Sequence, residues 1–110
     1  MEGITKARID GENKTLEIKC AKSIEVSQIA SRFASLLNNP EDGSVSASKY
    51  LVDTEGDDLA EIKYAKRKQA FVMRDRDSIY ITDDHSGVGI ENICFEYERL
   101  CKQLGVTPED

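Results

Sequence analysis

The stretch Val88-Gly-Ile-Glu-Asn-Ile-Cys-Phe-Glu-Tyr-Glu-Arg-Leu-Cys-Lys-Gln-Leu104 sets apolar residues at Ile90, Ile93, Cys94, Tyr97, Leu100, Cys101 and Leu104. Steps of three, four and seven fit a helix and no strand. Glu91, Glu96, Glu98, Arg99, Lys102 and Gln103 fall on the other face, so one side requires a core and the other water. Each large apolar side chain buried along that stripe is worth roughly 1.5–3 kcal/mol. Phe95 stands off the stripe beside Glu91, Glu98 and Arg99, and is expected to face solvent, a second chain or a flank of the fold. Gly105 is a natural stop, which leaves residues 106–110 as a frayed tail after a single globular domain, residues 1–105.

A helix of this kind needs a platform, and the N-terminal half begins one. Ile4–Asp10 and Thr15–Ala21 flank Gly11-Glu12-Asn13-Lys14, and Leu16, Ile18 and Cys20 alternate with Glu17 and Lys19, the pattern of a hairpin with one wet face. Ser23 reads as an N-cap and Glu25 as a first-turn anion of a helix that runs to Asn38. Val26, Ile29, Ala30, Phe33 and Leu37 form its stripe, with Ser27, Ser31 and Ser35 on one flank. Asn38-Asn39-Pro40 ends it, since proline cannot continue a helix.

Between Gly43 and Asp84 the period changes. Val45–Val52, Leu59–Ala65, Ala70–Arg74 and Ser78–Thr82 read as four strands of a meander. An acidic turn (Asp53–Asp58), a basic turn (Lys66–Gln69) and Asp75-Arg76-Asp77 join them. Residues 57–69 also admit a helix capped by Asp57-Asp58; the alternation of Ala60, Ile62 and Tyr64 with Glu61 and Lys63 favours a strand. The predicted fold is α+β, a largely antiparallel sheet with two helices on one face, in the order β-β-α-β-β-β-β-α.

Composition narrows the function classes. The chain of 110 residues is 39% hydrophobic and 33% charged, with a net charge of −6. Both nucleic acid and anionic membranes reward positive charge, so neither is an expected direct partner. The longest apolar runs are a few residues and the N-terminus lacks an apolar leader core, so the expectation is a cytoplasmic protein. Cys20, Cys94 and Cys101 are odd in number and lack C-x-x-C spacing, which fits buried reduced thiols.

No catalytic constellation is legible, and no metal or cofactor is expected. His85 is the only histidine; Asp83 and Asp84 beside it point to opposite faces if extended, and Ser86 is too close to serve as its nucleophile. Ile81-Thr-Asp-Asp-His-Ser-Gly-Val-Gly-Ile90 nonetheless joins a strand to a helix through two glycines. It resembles the D-x-G-x-G-I box of the GHKL ATPases, a likeness that implies an aspartate meeting adenine and glycines shaping a nucleotide pocket. The text departs from that box by one residue between Asp84 and Gly87, and the helix Glu and Asn that would hold magnesium have no counterpart. Asp83, Asp84, His85, Ser86, Gly87 and Gly89 are the candidate ligand-binding residues on that alternative.

Charge placement leads to the main expectation. In a meander alternate turns share an end, so Asp53, Glu55, Asp57 and Asp58 should lie near Asp75 and Asp77, with Lys66, Arg67 and Lys68 at the other end. Such polarity steers a basic protein. The expected class is a small non-enzymatic binding module, an inhibitor or adaptor of immunity, anti-defence or nucleic-acid-mimic type, with those carboxylates and Phe95 as contacts. A homo-oligomeric subunit pairing through the Phe95 flank or the serine flank is a further alternative.

Overall fold

The three-dimensional structure, a computed structural model, describes residues 2–39, 49–85 and 89–109. It is an α+β fold whose strands and helices follow in chain order as β1 Ile4–Asp10, β2 Thr15–Cys20, α1 Val26–Asn38, β3 Tyr50–Thr54, β4 Leu59–Tyr64, β5 Arg67–Asp75, β6 Ser78–Asp83, α2 Ile93–Leu104 and β7 Pro108–Glu109. The seven strands form one sheet in the order β3-β4-β5-β6-β2-β1-β7, antiparallel except where β7 runs parallel to β1. The meander from β3 to β6 is therefore joined edge to edge with the β1–β2 hairpin through Leu16 opposite Ile81 and Ile18 opposite Ile79.

Period-two alternation puts Leu16, Ile18, Ala60, Ile62, Ala70, Val72, Ile79 and Ile81 on one face, and all are fully buried. Both helices cover that face. Val26, Ile29, Ala30 and Phe33 of α1 lie over β3, β4 and β5, and Ile93, Tyr97, Leu100 and Leu104 of α2 lie over β1 and β2. The helices meet where the Phe33 and Tyr97 rings sit 5.6 Å apart. The Tyr97 hydroxyl donates to the carbonyls of Lys14, at 2.8 Å, and Ile81, at 3.1 Å, which ties α2 to the β1–β2 turn. Burial pushes that hydroxyl's pKa far above its ordinary value.

Several boundaries differ from the sequence expectation. The first helix starts after Glu25, whose N–H is held by Gln28 Oε1 at 2.7 Å, and Ser23 lies outside it. The last helix begins at Ile93 because Asn92 takes a left-handed φ of 58° and breaks the run, although Ile90 is still buried; Val88 lies outside the described residues. The basic residues 67–68 belong to β5, and the turn before them is Ala65-Lys66, with φ of 52° and 68°. Asp53 and Thr54 are in β3, and residues 45–48 of the expected third strand lie outside the described residues. Where a frayed tail is expected, Val106 packs on the core and Pro108–Glu109 pair with Ala7 and Arg8.

Candidate functional site

Among the described residues no helix covers the sheet face opposite α1 and α2, and the residues of that face follow from register. Leu51 stands opposite Lys63, Asp53 opposite Glu61, Glu61 opposite Phe71, Leu59 opposite Met73, and Met73 opposite Tyr80. Leu51 is 66% exposed and Met73 38%, the large apolar exposures of this face among the described residues. Around them lies a dense charge cluster. Lys63 Nζ reaches Asp53 Oδ2 at 2.8 Å and Glu61 Oε2 at 3.5 Å, and Lys68 Nζ reaches Glu61 Oε1 at 3.4 Å while lying 5.8 Å from the centre of the Phe71 ring. The hydrogen bond to Asp53 raises the Lys63 pKa. Further along, the Tyr80 hydroxyl donates to Glu17 Oε2 at 2.6 Å, which raises its own pKa.

Glu61 is the residue that sequence reasoning missed here. It is only 4% exposed although it lies on the face opposite the helices, and the ammonium groups of Lys63 and Lys68 sit against its carboxylate. Carboxylate oxygens of Asp53, Glu55 and Glu61 lie within 4.8 Å of one another, close enough to share a cation. Lys63 supplies that cation already, and a metal ion would have to displace its ammonium group.

The expected acidic end is formed as the topology requires. The β3–β4 and β5–β6 turns share an end, where the Arg74 N–H donates to the Asp58 carbonyl at 2.9 Å. Asp53, Glu55, Asp57 and Asp58 are exposed there, as are Asp75 and Asp77. The cluster is not purely acidic: Lys22, Arg74 and Arg76 line the same groove as Asp57, Asp58 and Glu25. Arg74 donates to the carbonyls of Ala21, Ile24 and Arg76 and reaches Cys20 Sγ, pinning the chain that enters α1 onto the sheet. Phe95 is 47% exposed on α2, the helix that packs over β1 and β2.

The candidate loop 83–89 is at the opposite end. Asp83 closes β6 on the covered face, with its N–H bound to the Lys14 carbonyl at 3.2 Å, and it is 5% exposed. Among the described residues its Oδ1 atom has no hydrogen-bond partner. A Cβ at Gly89 would collide with that oxygen, so this glycine is there for close packing. His85 takes a left-handed φ of 58° and brings Nδ1 to 4.0 Å from Asp83 Oδ2 with its ring mostly in water. The Asp84 N–H bonds the Gln69 carbonyl at 3.1 Å. Asp83, His85 and Gly89 are thus brought together, and Ser86 and Gly87 lie outside the described residues.

The Cys20 and Cys101 thiols are buried. Burial pushes Cys101 up to about 11 and raises Cys20 as well, which keeps both protonated near neutrality. Among the described residues no helix is long and apolar enough to cross a membrane. No protein-family model, curated protein or solved structure matches the chain.

Proposed function

We propose that the protein is a non-enzymatic binding module of inhibitor or adaptor type that docks on a protein with a basic surface. The observation that carries this reading is the uncovered sheet face, where exposed Leu51 and Met73 lie among Asp53, Glu61, Lys63 and Lys68. Apolar anchors inside a charged surround are the anatomy of a protein interface. The exposed Glu55, Asp57 and Asp58 adjoin that face and supply the long-range attraction that speeds encounter with a cationic partner.

The test uses the immobilised protein and a lysate of the organism that encodes it. The wild type should retain a partner that salt releases. A variant with Asp53→Asn, Glu55→Gln, Asp57→Asn and Asp58→Asn should lose it, as should Met73→Asp. Equal retention by all three proteins overturns the reading.

A second reading is favoured by one observation, the buried Asp83 Oδ1 that has no hydrogen-bond partner among the described residues. A small ligand that presents an N–H group or a cation beside His85 and Gly89 would satisfy that oxygen. Nucleotides and divalent cations are the probes. A rise in melting temperature that disappears in Asp83→Asn supports this site, and no rise at millimolar ligand removes it.

A further inference from the structure

We infer that the carboxylates of Asp53, Glu55 and Glu61 form a calcium site on the open sheet face, in which the Lys63 ammonium group is the exchangeable occupant. Strand register builds the site. Asp53 stands directly opposite Glu61 across β3 and β4. The Glu55 N–H donates to the Leu59 carbonyl at 2.8 Å, so the ladder continues through Glu55 and sets its side chain on the same side as Asp53. One oxygen from each of the three acids lies within 4.8 Å of the others. Acids crowd on many surfaces, and their proximity alone names no ligand. The second observation is the state of Glu61. Its side chain is 5% exposed, and among the described residues its shielded Oε2 atom accepts no hydrogen bond. That oxygen faces into the cluster, because Lys63 Nζ, 3.5 Å from it, also lies 2.8 Å from Asp53 Oδ2. A buried anionic acceptor short of a donor is costly until a cation coordinates it.

Donor chemistry and size choose the ion. Three carboxylates, with no thiolate or imidazole among them, suit a hard cation. Ca²⁺ binds oxygen at about 2.3–2.6 Å, so two of its ligands can stand up to about 5.2 Å apart, a limit all three acids already meet. Mg²⁺ has a ceiling of about 4.2 Å on the same reckoning and demands a near-ideal octahedron, which side chains from two strands and a turn do not prearrange. Lys63 can leave at little cost, since its side chain is partly exposed and its ammonium returns to water. Lys68 can stay, because its Nζ approaches the other Glu61 oxygen, Oε1, at 3.4 Å and lies over the Phe71 ring. After the exchange each Glu61 oxygen still faces a cation. The Asp53 side chain is half exposed, which gives the ion an approach from solvent and leaves water to complete its coordination.

The test is calorimetric titration of the whole protein with calcium chloride, and with magnesium chloride beside it, in about 0.1 M potassium chloride to screen diffuse surface charge. Three carboxylates without a closed binding loop place the expected calcium Kd at about 10⁻⁴–10⁻³ M, with magnesium roughly tenfold weaker. Lys63→Met removes the competing cation and should tighten calcium about tenfold. Asp53→Asn and Glu61→Gln should each weaken it about tenfold, and the exposed Asp53 variant decides the matter if the buried one fails to fold. Amide NMR shifts on adding calcium should centre on residues 53–55 and 61–63. A wild type that takes up no calcium by about 10 mM overturns the inference, even if Lys63→Met binds it. So does binding that magnesium matches, or that Asp53→Asn leaves unchanged, which would assign the ion to scattered surface acids. No partner protein enters the experiment, so its failure is distinct from failure of the docking reading.

Discussion

The two faces of this sheet solve different problems. On the covered face every position between the helices is apolar and dry, from Leu16 through Ile81 to Ile62, and charge is confined to its ends, at Arg74 and Asp83. On the uncovered face charged and apolar residues alternate along the same strands, and Glu61 is buried among lysines. Stability therefore rests on one side, and the other is free to carry recognition. The two end charges differ as well. Arg74 satisfies carbonyls of the α1 entry, whereas one oxygen of Asp83 has no hydrogen-bond partner among the described residues.

The comparison breaks first at Tyr97. Tyr97→Ala removes a fully buried ring and the bonds to Lys14 and Ile81, and should cost about 3–5 kcal/mol in urea unfolding. Met73→Ser on the uncovered face should stay within about 0.5 kcal/mol of wild type. If the two losses were similar, the division of labour between faces would be wrong.

Arg74 sharpens the picture by testing a charge inside the covered layer. Arg74→Met keeps the apolar stem and removes the hydrogen bonds to the carbonyls of Ala21, Ile24 and Arg76, for an expected loss of about 2 kcal/mol. The loss should appear with earlier hydrogen exchange at the start of α1, because that is what the guanidinium holds.

Next in size is a gain. Ala65 and Lys66 both sit at positive φ in a two-residue hairpin turn that asparagine and glycine adopt at lower cost. Ala65→Asn with Lys66→Gly should raise stability by about 1 kcal/mol in the same denaturation experiment.

The smallest effect is a titration. Asp10 accepts bonds from the Asn13 side chain and from the N–H groups of Asn13 and Glu12, which holds its carboxyl below the ordinary value. A depressed folded pKa means the contribution is present above the ordinary carboxylate range and is lost as pH falls through the folded value. Carboxyl NMR should show Asp10 titrating below the ordinary aspartate value, and Asn13→Ala should move it back up.

Much of this architecture is legible in the residues, and the failures have physical causes. The strands of the meander and both helix stripes show plainly because each carries a sustained period that only one backbone conformation satisfies. The turn at Ala65-Lys66 is invisible because neither residue prefers positive φ; the sheet imposes it. The start of α2 is misread because Ile90 keeps the helical spacing while Asn92 leaves the helical conformation. Among the candidate sites, the shared acidic end follows from the meander alone, whereas the cations that interrupt it come partly from the α1 entry, distant in sequence. The burial of Glu61 had no signal, because a glutamate alternating along a strand reads as solvent-facing. Gly89 is legible as a glycine, but its close approach to Asp83 across the loop is not, because that contact is set by the fold.

The hydroxyl of Tyr97 has one more consequence. The chain contains no tryptophan and four tyrosines. Tyr97 keeps its proton in alkali for as long as α2 stays seated, while an unfolded tyrosine ionises near its ordinary value. Rising alkalinity therefore favours release of the helix, and the late fraction of phenolate absorbance is a built-in gauge of when it lifts.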